Sequence, residues 1–207
     1  MDDEERTPSP EEVQAIIAAQ QMQVRDTFHT DDRLLYGAWG LAWGIGYLAM
    51  FLSSDAEGMP GAPGGFIFMG LLCGAAVMTI VHAERRARGL GGHGAMMHAR
   101  LGATWPVAFV AMFFVFGGAF RLGISGPGVA VFTNSLPCLV VACIFMASGA
   151  VWHDKIQFRL GVWIAIVTAV VAIIGPPYLY VGMSVLGGGG FLVAAVLAHS
   201  ERRRLNG

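Results

Sequence analysis

The sequence predicts an all-α, polytopic integral membrane protein: six transmembrane helices as three hairpins, preceded by a cytoplasmic amphipathic helix. Three observations predict this. Of 207 residues, 55% are hydrophobic and only 13% are charged, where a soluble domain carries about 25% charged residues. Six apolar runs, near 34–52, 66–82, 101–120, 135–152, 160–176 and 178–199, contain no Asp, Glu, Lys or Arg. Of the 13 Lys and Arg residues, all but Arg121 fall on one face of a six-span arrangement.

Each run is close to the roughly 20 helical residues that cross a bilayer core of about 30 Å. A chain in lipid must satisfy its own backbone hydrogen bonds, so the spans are helices. The charge bias places both termini in the cytoplasm by the positive-inside rule and favours an even number of spans. The implied location is the plasma (inner) membrane, with lipid as the first partner.

The segment 1–32 begins "MDDEER", whereas a cleaved signal peptide begins with basic residues. Ser9-Pro10-Glu11-Glu12 is a capping box with Pro at the first helical position. Val13, Ile16, Ile17 and Val24 follow at helical spacing, so an amphipathic helix is expected over 10–28. It offers a docking surface for a cytoplasmic protein or a second copy of the chain. The membrane domain occupies 33–200, and 201–207 is a basic cytoplasmic tail.

The first run opens with "YGAWGLAWGIGY", in which Tyr36, Trp39, Trp43 and Tyr47 make an aromatic ridge beside a stripe of Gly37, Gly40 and Gly44. Gly40–Gly44 is a GxxxG pair, and Gly70–Gly74 in the second run is another. Small residues let helices approach closely in lipid, so these glycines are candidate helix contacts. The ridge is either packing with an interfacial belt or the wall of a pocket for an apolar or cationic ligand. The opening "DDRLLYGAWGLAWGIGYL" resembles that of small uncharacterised actinobacterial membrane proteins, some loosely labelled transporters. The resemblance covers about 40 residues and implies no catalytic residue.

Between the second and third runs, "RARGLGGHGAMMHAR" reads as a mobile basic loop. His93, Met96, Met97 and His98 in it are alternative soft-metal ligands. The stretch "RLGISGPGVAVFTN" at 121–134 is either re-entrant or an extension of the fourth helix. Cys73, Cys138 and Cys143 all lie within runs and form no CxxC, which suits small core residues.

The odd runs start alike, with "RLLYGAW" at Arg33, "RLGATW" at Arg100 and "RLGVW" at Arg159. The even ones end alike, with "VHAERR" at Val81, "VWHD" at Val151 and "LAHSERR" at Leu197. Duplication of a hairpin explains this, and so does convergence on Arg anchors and Trp belts at every inner helix end. His82, His153 and His199 take equivalent places at these ends. They either complement the helix C-terminal dipoles or converge as a three-histidine metal site, the ligand number of many catalytic zinc centres.

Three functional readings follow, in this order. The first is a transporter or permease component for an unknown substrate. No Gly-x-x-x-x-Gly-Lys-Ser/Thr loop occurs, so an ATPase would be another chain. The second is a non-enzymatic regulatory or assembly protein docking a cytoplasmic partner, and the third a membrane enzyme built on the three histidines. No cofactor motif is present, and a net charge of −1 implies no nucleic-acid partner.

Overall fold

The computed structural model describes Ser9 and residues 12–14, 32–87 and 92–205. The described residues are 88% helical, with no strand among them. It divides into two units, residues 1–32 and 33–207.

In the first unit the capping box is formed. Ser9 N donates to Glu12 Oε2 at 2.8 Å, and Glu12 N donates to Ser9 Oγ at 3.2 Å. Residues 12–14 are helical. Most of the amphipathic helix expected over 10–28 lies outside the described residues.

The second unit contains α1 (Asp32–Leu52), α2 (Ala62–Ala87), α3 (Gly92–Arg121), α4 (Pro127–Trp152) and α5 (Lys155–Ile174). Its last helix, α6, runs through three consecutive pieces: an α-helical start Tyr178–Gly182, a π-helical segment Met183–Gly188 and an α-helical end Gly189–Leu205. All six helices are long and apolar enough to cross a membrane. Large apolar side chains also line the outside, among them Phe66, Phe113, Phe114 and Ile173. An apolar exterior on this scale marks a surface built for lipid or a partner rather than for water.

One expectation is corrected and one open alternative is decided. The basic stretch after α2 is a loop only in part, because α3 starts at Gly92 and takes in residues 92–100. Ala95, Met96, Met97 and Ala99 are good helix formers and outweigh the glycines around them. The ambiguous 121–134 stretch resolves as an extension of the fourth helix. Pro127 opens α4 with Gly126 as its N-cap, the position where a missing N–H costs nothing.

Neighbouring helices meet through small residues. Gly161 of α5 lies where a Cβ would stand 2.8 Å from both Ala142 O and Met146 N of α4. The link between these helices is two residues long. His153 adopts φ 55 and donates its N–H to Gly149 O, a left-handed helix stop. Asp154 then caps α5, its Oδ1 accepting from Ile156 N at 2.9 Å and Gln157 N at 3.0 Å. At the opposite end, Asp55 Oδ1 accepts from Glu57 N at 3.0 Å and Met59 N at 2.9 Å, folding the α1–α2 loop back on itself. Gly58, at φ 79, seats that loop against Pro176 and Pro177 ahead of α6.

The buried core is shared by α1, α4, α5 and α6. It contains Tyr36, Trp43, Tyr47, Cys138, Val141, Ile164, Val167, Val171, Leu179, Tyr180, Met183 and Phe191. Helix α2 leans on α1 through Phe68, and α3 on α4 through Phe116–Phe132 and Trp105–Phe145 ring contacts. Three equivalent hairpins would bury α2, α4 and α6 alike. Their apolar spans are instead 11%, 39% and 28% buried, and that of α3 is 6%.

Candidate functional site

The aromatic ridge of α1 is absorbed by packing. Tyr36, Trp43 and Tyr47 are buried. Trp43 meets Tyr47 edge-on with ring centroids 5.8 Å apart, and Phe191 of α6 at 5.1 Å. Tyr47 lies 4.5 Å from the Phe68 ring of α2. Trp39 is half-buried, and its indole N–H donates to Thr79 Oγ1 at 2.9 Å. That hydroxyl in turn donates to Ala75 O at 2.8 Å. Such edge-on ring contacts are the preferred geometry of aromatic pairs.

Beside this ridge, the glycines differ from one another. A Cβ on Gly40 would stand 2.8 Å from Leu192 Cδ2 and 3.2 Å from Gly188 O, whereas on Gly44 it would meet Ser184 O at an ordinary 3.9 Å. The tightest point belongs to α6. A Cβ on Gly188 would lie 2.7 Å from Gly44 N and 2.9 Å from Gly44 Cα. Ser184 Oγ adds a hydrogen bond to Gly44 O at 2.7 Å across the same seam. Gly37, Gly70 and Gly74 have no neighbouring atom within 4 Å of a Cβ position, so within the single chain they face open space.

The π-helical segment sits at this seam. Its wider turn shifts carbonyls out of the α-helical pattern, and the indole N–H of Trp163 on α5 donates to Leu186 O at 2.8 Å. Trp163 also covers Gly190, and Trp43 covers Gly187. Gly187, Gly188 and Gly190 thus let α6 pass between two tryptophans with its backbone against α1. "SVLGGGG" was the signal available in the sequence, and hydropathy alone does not pick it out.

Sequence reasoning also missed several buried polar side chains. Tyr47 Oη and Cys138 Sγ are 3.4 Å apart. The Thr168 hydroxyl neighbours that thiol but makes no hydrogen bond of adequate geometry. Asn134, four residues before Cys138 on α4, is buried with neither its amide nitrogen nor its amide oxygen partnered. Ser135 Oγ is likewise buried without a partner. On α6, Tyr180 is buried within electrostatic range of Tyr47. Spacing of four places Asn134 and Cys138 on one helical face, but only the neighbouring helices make that face an interior one. These side chains offer amide, hydroxyl and thiol functions, and the Asp55 carboxylate lies within electrostatic range of Tyr180.

The three histidines occupy three separate settings. His199 Nδ1 lies 2.6 Å from Arg33 Nη1, a group that can only donate. This pairing ties the start of α1 to the end of α6. His153 is exposed at the α4–α5 turn. His82 Nε2 is buried without a partner near the end of α2. Among the described residues, no three His, Cys, Asp or Glu side chains are grouped to hold a metal. No protein-family model, curated protein or solved structure matches the chain.

Proposed function

We propose that the chain is a multi-pass membrane protein of three helical hairpins with both termini in the cytoplasm. We propose further that it serves as a small permease component for an uncharged, polar solute, without an ATPase of its own. The observation that carries this reading is the set of unpartnered polar atoms at Asn134, Ser135 and Thr168 inside an apolar core. Leaving such a group unpaired costs about 1–3 kcal/mol. A bundle that merely filled lipid would be steadier with Leu or Val there. A solute carrying hydroxyl or amide groups supplies the missing partners. The absence of charged side chains from all six apolar runs suits a neutral cargo, since carriers of protons or ions place ionisable groups within the membrane.

The test uses proteoliposomes and stopped-flow osmotic swelling with glycerol and urea. The wild-type protein is expected to accelerate swelling over protein-free vesicles. Asn134→Leu and Thr168→Val are expected to abolish the acceleration while raising thermal stability by about 1 kcal/mol or more. Swelling that is no faster than in empty vesicles, or is untouched by both substitutions, defeats the reading.

A second reading is favoured by one observation. Gly70 and Gly74 lie open on α2 beside exposed Met69 and Val77, the pattern of a helix that receives another helix in lipid. A docking or assembly role then follows. Leu at both glycines would release a partner or a second copy, read as a loss of mass for the purified complex.

A further inference from the structure

Beyond that reading, we infer that the α4–α5 turn is a binding site for the phosphate group of an anionic membrane lipid. A cavity of about 280 Å³ opens there, walled by Gly149 and Phe158 and bordered by His153, Lys155 and Arg159. Lys155 and Arg159 are four residues apart on α5, so they rise from the same face of the helix. Both are exposed, and among the described residues neither has a hydrogen-bond or ion-pair partner. The one carboxylate at the cavity, Asp154, is already turned to the Ile156 and Gln157 N–H groups. The cavity therefore presents two cations against one carboxylate whose lone pairs are engaged by backbone N–H groups, and its charge is net positive.

Its depth identifies the occupant. The apolar spans of α4 and α5 end at Trp152 and begin at Lys155, so the cavity lies at the rim of the apolar band, level with headgroups. Exposed Val151, Trp152 and Phe158 flank it with surface suited to acyl chains. Basic pockets between helices at this level take anionic headgroups. The tight turn makes the cavity a fixed feature. A Cβ on Gly149 would stand 2.6 Å from Phe158 N and 2.9 Å from Asp154 O, so only glycine lets the two helices close around it.

The test is native mass spectrometry of the intact, detergent-solubilised chain with phosphatidylglycerol, phosphatidylcholine or glycerol 3-phosphate added separately. Wild type is expected to retain phosphatidylglycerol about tenfold over phosphatidylcholine. Lys155→Gln with Arg159→Gln is expected to remove that preference. The charge-preserving pair Lys155→Arg with Arg159→Lys is expected to keep it, as is Arg121→Gln at the other end of the bundle. Equal preference in the Gln pair overturns the inference. Retention of glycerol 3-phosphate in place of the lipid overturns it too, in favour of a soluble phosphate ester. Lipid retention is independent of vesicle swelling, so this inference and the permease reading fail separately.

Discussion

At the scale of single residues, the glycines separate into those that hold the bundle together and those that do not. The GxxxG pair in α1 was legible in the sequence, but its partner was not, because a stripe of small residues does not say which helix it receives. The structure puts the closest α1–α6 backbone approach at Gly188, where the obstacle is the backbone of Gly44 and cannot swing aside. Gly188→Ala must push α1 and α6 apart, and overpacking of this kind costs about 1–3 kcal/mol. Gly189, one residue on, has no atom within 4 Å of its Cβ position. Gly189→Ala should therefore be neutral or stabilising by up to about 1 kcal/mol through better helix propensity. Thermal melts in one detergent compare the two, and equal melting temperatures would mean the seam is not tight. Asn134 was illegible for a related reason. A lone amide in an apolar run looks the same whether it faces lipid, a helix or a solute.

At the scale of elements, hydropathy located all six helices but set several ends too far inward, most of all the starts of α3 and α4, and carried the fifth two residues past Ile174. The start of α4 shows why. The eight residues from Pro127 to Asn134 are glycine-, threonine- and asparagine-bearing and score weakly, yet Pro at the first turn and the covered face of Ala130 and Asn134 make them helical. The π-helical stretch of α6 was beyond reach, since it depends on Trp163, Trp43 and Gly44 lying around it at once. The Arg33–His199 hydrogen bond belongs to this scale, joining the first helix to the last. Arg33 has further interactions, so His199→Ala should free the end of α6 and leave α1 anchored. A lost bond of about 1 kcal/mol corresponds to roughly fivefold faster local opening. Hydrogen exchange over residues 196–205 should speed up by that factor, with no change near Gly188. His199→Lys, which sets a second cation against Arg33, should do the same or more. Faster exchange spread through the whole bundle would show that the bond holds more than one helix end.

At the scale of the whole molecule, the sequence conveyed which segments are apolar and which end carries the cations, but not which helices are central. Helices with an apolar outer face as well as an apolar inner one are apolar all round, so amphipathicity does not distinguish α2 and α3 from the four core helices. Only contacts such as Trp43–Phe191 and Tyr47–Cys138 establish that order. Topology remains testable from the charge pattern together with the structure. The start of α1 and the end of α6 lie at one end, as the Arg33–His199 pairing requires. Antiparallel ring contacts between α3 and α4, Trp105 with Phe145 and Phe116 with Phe132, carry Arg121 to the end where α4 begins. The described cations Arg33, Arg100, Lys155, Arg159 and Arg203 lie at or toward helix ends on the side opposite Arg121, and for a bundle that spans a membrane the positive-inside rule predicts that this side faces the cytoplasm. A membrane-impermeant maleimide applied to intact cells should then label Glu57→Cys and spare Gly92→Cys until the membrane is opened. The native thiols do not confuse the readout, because Cys73, Cys138 and Cys143 all lie within the apolar spans, where a charged reagent does not enter. Labelling of position 92 in sealed cells would invert the orientation, and with it move the lipid-phosphate cavity of α4 and α5 to the outer leaflet.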